Sequence, residues 1–254
     1  MIFIIFMIII IVRNYKRWQL SVGEVRMKRK KVFFSEMAYA LGIIALALGT
    51  ALMERADFGL SMVVAPAYLL HLKISQYVPM FSFGMAEYSL QAFLILILSL
   101  ALRKFKPMYL FSFATAVIYG LALDAAMMVV DILPQIGLTG RVICFVTGLL
   151  FCSSGVSLMF HTYIPPEAYE LFVKEVSARL RADINIVKTI YDCFSCFIAI
   201  ILSFAFFGLW RFEGVKFGTV ICAFVNGFLI GKCSKMIESV FEFKDAFGLR
   251  KKFE

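Results

Sequence analysis

Long apolar runs separated by short charged stretches dominate the chain. Between Glu36 and Glu54 lie 17 uncharged residues, extendable backwards through Val32-Phe33-Phe34-Ser35. Residues 74–102 carry one charge, Glu87; residues 107–130 carry one, Asp124; residues 142–166 carry none. Two further gaps run from Asp192 to Arg211 and from Lys216 to Lys232. A helix that crosses a hydrocarbon layer of ~30 Å needs roughly 20 mainly apolar residues. The pattern therefore predicts six transmembrane helices near 35–54, 82–102, 108–130, 141–161, 188–209 and 214–231. The runs are continuously apolar rather than alternating, which excludes the spans of a β-barrel.

Composition agrees. Of 254 residues, 62% are hydrophobic and 17% charged, with a mean hydropathy of +0.88. A soluble domain is about 45–50% apolar and about 25% charged, so a soluble enzyme, a disordered chain and a disulfide-rich module are excluded. The net charge of +9 would suit a nucleic-acid partner, but its distribution argues for topology instead. Lys and Arg collect on cytoplasmic segments of membrane proteins. With a cytoplasmic N-terminus, 21 of the 26 basic residues fall inside and five (Arg55, Lys73, Arg141, Arg211, Lys216) outside. Both termini are expected in the cytoplasm, with anionic inner-leaflet lipid as the partner of the basic excess.

Three regions follow: an extension over 1–31, a six-helix membrane domain over 32–232, and a basic amphipathic tail over 233–254. The first 12 residues are apolar and precede, rather than follow, a basic stretch, the reverse of a signal peptide. Either the true start is Met27 or this segment is an interfacial or additional helix. The tail mixes Ile237, Val240, Phe241 and Phe247 with charges and reads as a helix lying on the membrane surface.

Short matches recur at a near-constant offset. Gly49-Thr50-Ala51-Leu52-Met53 and Gly155-Val156-Ser157-Leu158-Met159 lie 106 positions apart. Leu98-Ser99-Leu100-Ala101 matches Leu202-Ser203-Phe204-Ala205, and Phe113-Ala114-Thr115 matches Phe217-Gly218-Thr219, both at 104. This divides the domain into three-helix halves, 33–131 and 139–232, and an odd number of spans turns the second upside down relative to the first. Inverted halves recur in secondary transporters, with the site at the repeat interface. After the first span of each half comes an anomalous stretch. The first, from Glu54 to Leu72, is broken by Pro66, is too short to span, and reads as re-entrant or interfacial. The second, from His161 to Asp183, opens with Pro165-Pro166; Tyr169, Phe172, Val173, Val176 and Leu180 share one face, which predicts a helix lying in the cytoplasmic interface.

Arg55-Ala56-Asp57-Phe58-Gly59-Leu60-Ser61 and Gly214-Val215-Lys216-Phe217-Gly218-Thr219-Val220-Ile221, continuing to Asn226-Gly227, resemble segments of the YczE/YyaS/YitT family of bacterial membrane proteins. The family follows its first span with Arg-Ala-Gly-Leu-Gly-x-Ser/Asp-Pro-Trp; here Met62 takes the proline's place and the proline comes later, at Pro66. The resemblance covers about 36–232. It implies the six-helix, two-half architecture and a bacterial cytoplasmic membrane, and brings no substrate with it.

An ionisable residue at the centre of a membrane helix costs something like 2.5–3.5 kcal/mol on insertion scales, so each needs a reason. Asp124 lies deepest, in the third span; Glu87 is about five residues into the second, and Asp192 about four into the fifth. Glu54, Arg55 and Asp57 cluster at the end of the first span. As functional groups, Glu87 and Asp124 would hold protons or cations and Arg55 would anchor substrate; as structural ones, Arg55 would pair with Glu87 or Asp124 and lock helices together. The six cysteines fall almost wholly within spans and read as small packing residues, Cys193 and Cys196 included. No metal, cofactor or catalytic constellation is expected. The leading expectation is a permease for a small solute or cation that rocks two inverted halves about a midplane site. The alternative is a non-transporting accessory or regulatory membrane protein that docks a protein partner through the cytoplasmic loop 162–187 and the tail; neither reading makes it an enzyme.

Overall fold

A computed structural model describes residues 31–246 except 104, 107, 135–136 and 209–213. The expectations for residues 1–30, Arg211 and the tail end from Phe247 lie outside the described residues. Eight helices follow in chain order: α1 (Ser35–Ala56), α2 (Ala65–Ile74), α3 (Phe83–Leu102), α4 (Met108–Asp131), α5 (Leu138–Phe160), α6 (Ala168–Leu180), α7 (Ile184–Phe207) and α8 (Phe217–Val240). All but α2 and α6 are long and apolar enough to cross a membrane. The bundle buries polar groups within a mainly apolar core and is apolar outside: Glu87, Gln91, Ser153 and Asp192 are buried, while Phe93, Leu96, Phe194 and Phe197 stand exposed on its surface. That arrangement suits lipid, not water.

Two expectations need correcting. Residues 31–34 do not extend the first span; they form β1 (Lys31–Phe34), paired with β2 (Phe241–Lys244). The tail does not start a separate surface helix at 233, because α8 runs on to Val240 before the chain turns extended. Alternation explains the ribbon: Phe241 and Phe243 point the same way along a strand, and both rings pack on Phe33, at 5.1 and 5.9 Å.

Each half has the order long, short, long, long, and packing partners come in exchangeable pairs. α1 rests on α4 as α5 rests on α8; α3 on α4 as α7 on α8; α2 on α3 as α6 on α7. Across the halves, α2 packs on α7 as α6 packs on α3, and α1 packs on α5. Glycines set this last crossing. A Cβ on Gly49 or on Gly148 would stand 2.7 Å from the other's carbonyl oxygen; Gly42 and Gly155 meet likewise at 3.0 and 2.7 Å. Gly42 faces Gly155 and Gly49 faces Gly148, so α1 and α5 run antiparallel. The 106-residue offset carries Gly42 to Gly148 and Gly49 to Gly155, and so carries each contact onto the other.

Candidate functional site

The two short helices start inside the bundle. The Pro165 and Pro166 carbonyls, which precede the first backbone bond of α6 (Leu171 N–H to Glu167 O), accept from Thr115 at 3.0 Å and Ser112 at 2.7 Å, both on α4. The first α6 amide, on Ala168, then donates to Gln91 Oε1 at 2.9 Å. Gln91 is eight residues into α3, about 12 Å along it at 1.5 Å per residue, so α6 begins close to the midplane. The interfacial placement of this helix is therefore corrected: Glu167 through Leu171 and Val173 are buried, and only its last turns reach the surface. The docking surface expected over 162–187 shrinks accordingly.

α2 is positioned by the loop before it. Asp57 ends α1 in the left-handed region at φ 56°, a conformation Asp tolerates. Gly59 follows at φ +102°, with the backbone nitrogen of Lys216 only 2.8 Å from where a Cβ would sit. The Leu60 amide donates to Gly214 O at 3.3 Å, and the Gly218 amide to Phe58 O at 2.8 Å. The two segments that carry the family resemblance thus meet each other. Pro66 occupies the first turn of α2, where its missing N–H is no loss.

The loop that leads into α2 (Ser61, Val63, Val64) and the start of α6 line one cavity of about 20 Å³, together with residues midway along α1, α4, α5 and α8 and Lys188 of α7. That is room for about one water molecule. Beside it lies a buried polar cluster. The Tyr169 hydroxyl donates to Glu87 Oε2 at 2.7 Å, and Gln91 Nε2 to Glu167 Oε2 at 3.0 Å. Lys188 Nζ lies 3.2 Å from both Glu170 Oε1 and Asp192 Oδ1. Glu87, Asp192, Glu167, Lys188 and Glu170 are 0, 0, 2, 3 and 4% exposed. One oxygen each of Glu87 and Glu167 finds no hydrogen-bond partner. Hydroxyls and an amide complete the wall: Thr50 and Tyr119 bond each other at 3.0 Å, and Ser153 donates to Asn226 Oδ1 at 3.0 Å.

The six residues singled out in the sequence separate into three places. Glu87 and Asp192 join this cluster. Glu54 and Asp57 line a second cavity, of about 40 Å³, at the end of the bundle away from the ribbon. There Glu54 accepts from the Tyr68 hydroxyl at 3.2 Å, and Asp57 pairs with Lys216 and, at 2.9 Å, with Arg141. Arg55 donates to Leu133 O at 2.7 Å and Pro134 O at 3.3 Å and lies 3.8 Å from Asp131; neither Glu87 nor Asp124 is its partner. Asp124 caps α3, its two oxygens accepting from Ser82 Oγ at 2.7 Å and the Gly84 amide at 2.8 Å.

Sequence reasoning missed Gln91, Glu167, Tyr169, Glu170 and Lys188 as site residues. The signal was there in part: Lys188 and Asp192 are four apart on one helix, and Glu167 follows the paired prolines directly.

The ends of the bundle carry matching ties. At the ribbon end, Glu36 accepts from the Tyr163 hydroxyl at 2.6 Å and the Ala246 amide at 3.1 Å, and His161 Nε2 meets Glu238 at 2.8 Å. Partial burial, then the bond to Glu36, pushes the Tyr163 phenol up to about 12. Arg141–Asp57 and Arg55–Asp131 are their counterparts at the other end, each residue 105–107 positions away.

Six helices long and apolar enough to cross a membrane, with phenylalanines and leucines exposed on the bundle's outer face, define a multi-pass integral membrane protein. The chain belongs to DUF6198, a family of unknown function, which it matches over residues 33–235. Neither the curated proteins nor the solved structures contain a match to it.

Proposed function

We propose that this protein is a permease for a small solute or ion, built from two inverted halves that expose a shared midplane site to one side and then the other. One observation carries the reading: the loop leading into one short helix and the start of the other meet inside the bundle at a small cavity flanked by buried acids. Broken helices lining a midplane site are the hallmark of alternating-access folds. Glu87, Asp192, Glu167, Glu170 and Lys188 form the working cluster. Glu54 and Asp57 line its approach, Arg55 braces the loop after α4, and Asp124 positions α3. The ties at the two ends break alternately as the halves rock. On this reading the ribbon end and both termini face the cytoplasm, which the basic excess supports, and the likeness of the Arg55–Ser61 and Gly214–Ile221 segments to the YczE/YyaS/YitT pattern supports a bacterial cytoplasmic membrane.

Cys152 supplies a test that needs no known substrate, because it lines the cavity and is buried. In sealed proteoliposomes an impermeant thiol reagent is applied to one face at a time, and modification of the Cys152 peptide is followed by mass spectrometry. Slow modification from both faces is expected. Protection from one face, or from both, contradicts alternating access.

A further inference from the structure

The lining of the midplane cavity is mainly apolar, with a few oxygen atoms set into it. Glu167 Oε1 has no partner, while the hydroxyl hydrogens nearby are committed elsewhere: Tyr169 donates to Glu87, Ser153 to Asn226, and Ser61 to the Met62 sulfur at 3.6 Å. Thr50 and Tyr119 use one hydrogen on each other, and the Cys152 thiol turns to Leu46 O at 3.8 Å. The one ammonium group on the wall, Lys188, is held by Glu170 and Asp192. Among the described residues that line the cavity, the one buried side-chain oxygen without a partner is Glu167 Oε1.

Charge points the same way. Two helix N-termini supply about half a positive charge each, and Lys188 supplies one. Against them stand four buried carboxyls, Glu87, Glu167, Glu170 and Asp192, so roughly two negative charges go uncompensated when all are ionised. An anion would deepen the imbalance. A divalent ion wants six or more oxygens, several from carboxylates, and among the described residues no three His, Cys, Asp or Glu side chains converge as metal ligands. One carboxylate with neutral hydroxyl and amide oxygens suits an alkali cation or ammonium. A void of about 20 Å³ admits such an ion stripped of water, and excludes any organic solute in this state.

We infer that the midplane cavity is a binding site for a small monovalent cation, with Glu167 as its counter-charge and Thr50, Ser61, Tyr119 and Asn226 supplying neutral oxygens. This rests on the permease reading for its place in transport, but binding itself is separable. The test is thermal unfolding of the purified full-length protein in lithium, sodium, potassium or ammonium chloride against N-methylglucamine chloride at equal ionic strength, with magnesium and calcium arms alongside. At least one small monovalent cation is expected to raise Tm saturably where N-methylglucamine does not. Glu167→Gln is expected to fold with a Tm in N-methylglucamine at or above the native one, since it removes a buried acid, and to lose the cation response. Glu167→Asp should keep a weakened response.

Equal Tm in every salt of the native protein overturns the inference without any variant. So does a larger response to a divalent ion, or one that survives in Glu167→Gln. A cation response with Cys152 unreachable from one face keeps the site and removes the transport reading. Two-sided access with no cation response does the reverse.

Discussion

Replacing Lys188 by methionine takes one ammonium group out of a layer that contains four buried carboxyls. Its Nζ is 3.2 Å from both Glu170 and Asp192, and the three side chains are at most 6% exposed. Side chains this deeply buried are out of reach of bulk solvent. Removing one partner of a buried ion pair typically costs about 3–5 kcal/mol, because the other charge stays buried without compensation. For a chain of this size each kcal/mol moves Tm by about 2–4 °C, so a fall of about 6–20 °C is expected, read by unfolding at a fixed scan rate in detergent. Lys106→Met is the control: its pair with Glu175 is as short, 2.7 Å, but its side chain is 45% exposed. Such surface pairs are worth about 0–1 kcal/mol, hence at most about 4 °C. Adding Asp192→Asn to Lys188→Met should recover part of the loss, since it removes one of the two stranded charges. If Lys188→Met is as mild as Lys106→Met, the lysine is not a buried counter-ion and the cluster is wrongly described.

Asp124→Ala leaves Ser82 as the N-cap of α3 but takes away the acceptor of the Gly84 amide, and should lower stability by about 1–2 kcal/mol while leaving the cation response intact; loss of that response would put Asp124 in the site. Gly148→Leu forces side-chain atoms against the Gly49 backbone, which cannot yield as a flexible side chain would. Overpacking of this kind costs about 1–3 kcal/mol or more, so poor yield and a polydisperse gel-filtration profile are expected, and a monodisperse variant of native Tm would refute the close crossing. The end ties should act on opposite faces. Asp57→Ala should speed Cys152 modification from the end away from the ribbon, and Glu36→Gln from the ribbon end; equal acceleration from both faces by either variant would count against paired gates.

The six crossings were legible because a charge every ~20 residues is hard to place anywhere but at a helix end in lipid, and boundaries at Ala56, Leu102, Asp131 and Phe160 fall within a few residues of those expected. Gly49 and Gly155, which stand in the matched segments, sit at the close crossing of α1 on α5, and only that packing explains why those glycines are there. The inserted helix α6 was not legible. Glu167, Glu170 and Lys174 on a short amphipathic stretch look like a surface helix, and nothing local says that Glu170 will meet Lys188 from the next helix. Lys188 itself passed for a charge marking the start of a span. Asp124 misled in the opposite sense: it lies deep in sequence, but opposite the start of α3, where a carboxylate is wanted as a cap. The ribbon was hidden because strand pairing between Lys31–Phe34 and Phe241–Lys244 joins segments about 210 residues apart.

Uptake of radiolabelled sodium or rubidium into proteoliposomes, driven by an inside-negative potential, joins the midplane site and the transport reading in one measurement. The native protein is expected to carry at least one of these ions faster than empty vesicles do. Glu167→Gln, inserted equally and with an unchanged Tm in N-methylglucamine, is expected to fall to the empty-vesicle rate. Native-level uptake by Glu167→Gln would contradict a permeation site at the meeting of α2 and α6.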